Sequence, residues 1–115
     1  MDDARLPLAV CVTIGAFVCA VAHSWLSERR ILPHVGARSQ RIVRWVFHLP
    51  SAAWAIIGVA VLAATLRGEV PVTPAAAAAL FAASAVGNAG GVGRLHFGAI
   101  LLGLLAAACL VLALA

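Results

Sequence analysis

The chain predicts an all-α membrane protein, a bundle of four transmembrane helices with both termini on the non-cytoplasmic side. Three observations carry that prediction. At 115 residues, 64% hydrophobic and 10% charged, the chain is too apolar for a soluble domain of its size. Its apolar residues fall into four runs, spanning about 6–26, 45–66, 74–90 and 95–115, and a hydrocarbon core needs roughly 20 apolar residues per helix. All eight basic residues are arginines, and five of them lie between Arg29 and Arg44. Basic excess in short loops marks the cytoplasmic side, so the 28–44 loop and Arg94 are expected inside and the Arg67-Gly68-Glu69 turn outside. Four spans consume the chain and leave a single transmembrane domain.

Span one carries Pro7 in its first turn, where proline costs little. Asp2 and Asp3 stand where a signal peptide would carry basic residues, and no small-residue cleavage site follows, so the first span is expected to be retained. It ends in His23-Ser24-Trp25-Leu26-Ser27-Glu28-Arg29-Arg30, with Trp25 suited to the interfacial aromatic belt. His34, beyond Pro33, is expected in solvent.

Before span two, Arg38, Arg41 and Arg44 alternate with Ile42, Val43, Val46 and Phe47. This pattern fits either a short interfacial helix or the first turns of the span itself. Pro50 either opens the membrane helix or interrupts a continuous one, removing the hydrogen bond to the Val46 carbonyl. Trp45 reads as an interface anchor, and Trp54 as lipid-facing or packed on small residues of span three.

Span three is short and mostly alanine. Thr73-Pro74 reads as a cap followed by proline at the first helical position. Asn88 to Gly93 reads as a glycine-rich stop. Gly87 and Gly91 form a small-xxx-small pair, which predicts that span three packs closely in the bundle. The competing explanation is that alanine is simply a good helix former. Cys11, Cys19 and Cys109 lie within spans, and an odd number of buried cysteines is no disulfide framework.

The polar residues of the spans are few, and ionisable groups at membrane depth are functional candidates by default. His23, Glu28, His48 and His96 fall near one depth at the ends of different apolar runs. In span one, His23 lies about 7 Å of helix rise from Glu28. Four readings follow. Three imidazoles and a carboxylate would suit a transition-metal ion, although no His-x-x-x-His or Glu-x-x-His pair sits on one helix. Two of the histidines, such as His23 and His48, would serve one haem b. The same groups would make a proton or anion path, or hold a quinone or lipid headgroup, with Arg29, Arg30 and Arg44 attracting negative charge. Finally, the histidines would only bond backbone or headgroups, with Glu28 paired to Arg44 or Arg94 at the interface.

Other chemistry is excluded by what the sequence lacks. There is no phosphate-binding glycine loop, no Cys-x-x-Cys pair and no serine in a nucleophile elbow. The net charge of +4 is accounted for by topology and anionic headgroups and calls for no nucleic acid.

The block His23-Ser24-Trp25-Leu26-Ser27-Glu28-Arg29 resembles a pattern in a group of small bacterial four-helix inner-membrane proteins, which read His-Ser-aromatic-Leu-Gly-Glu-Arg after helix one. Arg44-Trp45-Val46-Phe47-His48 is similar to that group's Arg-aromatic-x-x-His block, and His96 to a further histidine before its last helix. The resemblance covers the topology and two short blocks. It implies a multi-pass protein of the bacterial inner membrane in which His23, Glu28, His48 and His96 form one site, and it implies no activity. Ser27 departs from the group's glycine.

The expected function is a binding module that holds a metal ion or haem near the cytoplasmic face, through His23, His48 and His96 with Glu28 as a further metal ligand. The alternatives are a structural or assembly subunit of a membrane complex, or a small oligomeric transporter or enzyme. The expected partners are the lipid bilayer and other membrane subunits or a second copy of the chain.

Overall fold

Four helices, each long and apolar enough to cross a membrane, make up nearly all of the described chain. The computed structural model describes residues 4–69 and 71–115, so Asp2 and Asp3 lie outside the described residues. Helix α1 spans Arg5–Leu26, α2 Ala37–Arg67, α3 Val72–Val92 and α4 Phe97–Leu114. Among the described residues there is no strand.

The segment between α1 and α2 corrects the expected loop at 28–44. The chain stays helical past Leu26, as one π-helical turn (Ser27–Ile31) and one 3₁₀ turn (Leu32–His34). It breaks only at Val35, whose backbone is extended, and Gly36. There α2 begins, eight residues before the expected span. The arginine and apolar residues of 38–47 are thus the first turns of α2, a helix with one polar and one apolar side there. Pro50 lies inside this continuous helix. Just beyond it, Ser51 Oγ donates to the Phe47 carbonyl at 3.1 Å, a local substitute of the kind that makes proline tolerable in membrane helices.

Gly68 ends α2 and Gly93 ends α3, at φ +64° and +75°, where an L side chain is strained. Helix α3 opens at Val72, so Pro74 falls within its first turn and Thr73 is not its cap. It also runs through the glycine-rich stretch to Val92. The residue before α4 is a working cap: His96 Nδ1 accepts from the Gly98 N–H at 3.2 Å.

Helix α1 packs against α2 on one side and α4 on the other, while α3 packs chiefly on α4. The core runs along α1 through Ala9, Val12, Ala16 and Cys19 and is filled by Trp54, Val61, Phe81, Leu102, Leu105 and Leu112. Where α2 passes α1 at Gly58, an added Cβ would lie 2.9 Å from Ala16 Cβ and 3.2 Å from Thr13 Cα. Thr13 Oγ1 lies 2.9 Å from the Gly58 carbonyl and 2.9 Å from its own Ala9 carbonyl. At this crossing small residues let helices touch. A Cβ added at Gly87, Gly90 or Gly91 meets nothing within 4 Å, so the expected close packing of that pair is not found. Trp54 is buried, and its indole Nε1 donates to Ser84 Oγ on α3 at 3.0 Å.

Candidate functional site

The polar residues singled out from the sequence gather at the arginine-rich end of the bundle, in two arrangements rather than one. The first joins α1 to α2. The π turn widens α1 at Ser27–Ile31 and carries Glu28 toward α2. Arg44 grips this carboxylate with two donors, Nε to Oε1 at 2.8 Å and Nη2 to Oε2 at 3.3 Å. His48, one turn beyond Arg44, places Nε2 2.8 Å from the same Oε1. Its other nitrogen, Nδ1, lies 3.0 Å from Ser24 Oγ.

The chemistry of these groups fixes one proton. A carboxylate only accepts, so Nε2 of His48 carries hydrogen. Nδ1 accepts from the Ser24 hydroxyl in the neutral ring and donates to it in the imidazolium. The neutral ring gives a directed chain, Ser24 to His48 to Glu28, with Arg44 orienting its acidic end. Ser27, at the start of the π turn, is fully buried and its Oγ donates to the Ser24 carbonyl at 2.8 Å. π-Helical turns inside α-helices occur often at functional sites.

The second arrangement lies among all four helices. His23 and His96 line one cavity of about 270 Å³, with Cys19, Trp54, Asn88 and Phe97 among its other walls. His23 Nδ1 is 3.1 Å from Ser51 Oγ. Ser51 Oγ also donates to the Phe47 carbonyl, and the His23 ring has a backbone hydrogen bond to Phe47 as well. In the tautomer with hydrogen on Nδ1, Ser51 accepts from His23 and Nε2 is a lone pair, for which no hydrogen bond is found among the described residues. The ring is held edge-on to Trp54, centroids 5.0 Å apart, and tilted against Phe47 at 5.4 Å. His96 is committed at both ends. Its Nδ1 caps α4, so Nε2 carries the proton and donates to the Asn88 carbonyl at 3.3 Å. Asn88 Nδ2 donates to the Ser84 carbonyl at 2.9 Å.

Of the four residues expected in one site, Glu28 and His48 touch, and His23 and His96 share a cavity. No hydrogen bond joins the two pairs among the described residues. Nor are any three His, Cys, Asp or Glu side chains among the described residues grouped to hold a metal ion. Ser24 and Ser51 were not singled out from the sequence, although Ser24 lies four residues before Glu28, the spacing that puts two side chains on one helix face. Cys11, Cys19 and Cys109 are free thiols. His34 is exposed, and Trp25 and Trp45 are exposed as interface anchors would be.

No protein-family model, curated protein or solved structure matches this chain.

Proposed function

We propose that this is a membrane-embedded binding module whose cavity at the arginine-rich end holds a small, largely apolar molecule bearing a hydroxyl group. The observation that carries this reading is His23. Ser51 and the Phe47 backbone meet its polar edge, two aromatic rings pack against it, and in the Nδ1–H tautomer its Nε2 lone pair is left for a ligand in the cavity that the ring lines. A ligand that satisfies this nitrogen must donate a hydrogen bond. The remaining wall is mostly hydrocarbon and indole, which suits a ring or short chain. At about 270 Å³, the cavity falls just under the roughly 300–1,000 Å³ of sites that enclose drug-sized ligands. That size favours a single ring over a haem macrocycle. A hydroxylated ring of the quinol class fits these requirements. In this reading the protein sits in a bacterial inner membrane with the arginine-rich end in the cytoplasm.

The metal and haem readings meet the same nitrogen. A histidine that donates its second nitrogen to an oriented partner is arranged as metal-binding histidines are. His23 is one such donor, whereas His96 would have to abandon its cap or its bond to Asn88 to become another.

The test uses detergent-purified protein with Trp25 and Trp45 changed to Phe, so that Trp54 alone reports. A short-chain ubiquinol analogue should quench Trp54 fluorescence saturably, and the oxidised quinone, which cannot donate, should bind about tenfold more weakly. One hydrogen bond of roughly 1.4 kcal/mol corresponds to that ratio. His23→Ala should remove the preference. Equal affinity for the two forms, or no binding of either, would overturn the reading. Stoichiometric metal or a Soret band lost in His23→Ala would put a cofactor there instead.

A further inference from the structure

Between α1 and α2, on the lipid side of the site, runs an open groove of about 420 Å³ that the proposed ligand does not use. One wall is Phe17, Ala20 and Val21 of α1; the other includes Ala52 and Ala55 of α2. Its polar end is Ser24, His48 and Ser51. Along α1 the lining residues fall at i, i+3, i+4 and i+7, and along α2 they do the same from His48 to Ala55. Each helix thus presents one continuous stripe to the other. The groove is apolar along its length and ends at the hydroxyl that His48 holds.

We propose that Ser24 is a nucleophile for long-chain acyl esters, with the acyl chain lying in this groove and the ester carbonyl at its polar end. A neutral hydroxyl is a weak nucleophile unless an adjacent base takes its proton, and that base is itself oriented by a third group. Ser24, His48 and Glu28 stand in that order at 3.0 and 2.8 Å. The ring is reversed relative to the serine triad of hydrolases, with Nδ1 toward the serine, but the proton order is the same. Ser24 Oγ bonds to the acyl carbon while its proton passes to His48 Nδ1. The carbon–oxygen bond to the leaving alcohol then breaks, and His48 returns that proton to the departing alkoxide. Acyl-Ser24 and a free alcohol result, and water releases the acid by the reverse roles. Glu28 stabilises the imidazolium between the two steps, and Arg44 holds the carboxylate in place.

A purely structural staple between α1 and α2 needs only Glu28 and Arg44. It gives no reason for His48 to span from Glu28 to a serine at the end of an acyl-sized groove. The backbone also sets the expected speed. Ser24 lies inside a helix whose N–H groups are used in the helix ladder, so no backbone oxyanion hole faces it. Losing even one such donor lowers kcat about 10²–10³-fold, so the expected reaction is slow acylation, read as one event per chain.

The experiment uses the whole 115-residue chain in lipid nanodiscs, treated with a long-chain fluorophosphonate and mapped by mass spectrometry. The adduct should sit on Ser24, be absent in Ser24→Ala, form at least tenfold more slowly in His48→Gln and Glu28→Gln, and be unchanged in Ser39→Ala. A p-nitrophenyl decanoate burst should exceed that of the acetate, and Ala52→Phe should slow only the decanoate. An unlabelled Ser24 in helical, monodisperse protein would overturn the proposal. So would labelling that ignores His48, or equal rates for the two esters. Because His23 is untouched in these variants, quinol binding measured on the same samples separates this outcome from that of the cavity reading.

Discussion

Single residues here are defined by the direction in which each proton points. Thr13 Oγ1 has one hydrogen and two carbonyls at 2.9 Å, one on its own helix and one at Gly58 of α2. Interhelical hydrogen bonds of this kind are modest in membranes, averaging about 0.6 kcal/mol. Thr13→Val, which keeps the shape, should therefore lower stability to SDS unfolding by about that amount; a loss above roughly 2 kcal/mol would mean that the hydroxyl does more than bridge two helices. Trp54→Phe should cost more, about 1–3 kcal/mol, since it loses the bond to Ser84 and also shrinks a buried ring that packs on His23. The sequence makes the candidates visible at this scale but not their pairing. Shared depth places His23, Glu28, His48 and His96 near one level, and the Glu28–Arg44 pair is among the alternatives that depth allows. Which way an imidazole faces depends on the rotation of each helix about its axis. Hydropathy leaves that rotation undefined when helices are apolar nearly all round, and so Ser24 and Ser51 escape notice.

At the scale of elements, two kinds of glycine have opposite consequences. Gly58 sits where α1 and α2 touch, and any side chain there meets Ala16 and the Thr13 backbone. Gly58→Leu should separate the helices at a cost of about 1–3 kcal/mol, the usual range for overpacking, and should broaden the elution profile of the purified protein. Gly87 has open space around it, and a helical glycine is about 0.5–1 kcal/mol worse than alanine. Gly87→Ala should leave the protein as stable as before or raise its thermal midpoint; a fall would reveal a partner on that face of α3. The spans themselves are legible from composition because apolar length is a strong signal. Their ends are not. Arg38 to Phe47 fits two architectures equally, and only packing of α2 against α1 and the π turn selects the continuous helix. Small residues at i and i+4 likewise permit close approach without requiring it: Gly87 and Gly91 meet nothing, whereas Gly58 lies against Ala16 and Thr13.

For the molecule as a whole, the arginine distribution predicts which end lies in the cytoplasm. In a background with the three native cysteines replaced, Ser39→Cys should react with a membrane-impermeant maleimide only from the cytoplasmic side. Glu69→Cys should react only from the opposite side. Labelling of both from one side would break the alternation that a four-span protein requires.

Helix α2 also has a length that no single bilayer matches. Its 31 residues rise about 46 Å, against a hydrocarbon core of about 30 Å. Tilt alone would have to reach roughly 50°, beyond the observed range of 0–40°, so part of the helix must stand clear of the acyl chains. The arginine-bearing start is the part expected to do so, which puts Arg44 and His48 near the expected crossing into hydrocarbon. Membrane thickness then becomes a control variable for the site. Thinner bilayers lift the Glu28–His48 contact toward water and thicker ones draw it into lipid, so Ser24 labelling should change steadily with phospholipid chain length from 14 to 20 carbons, roughly the span over which mismatch is felt.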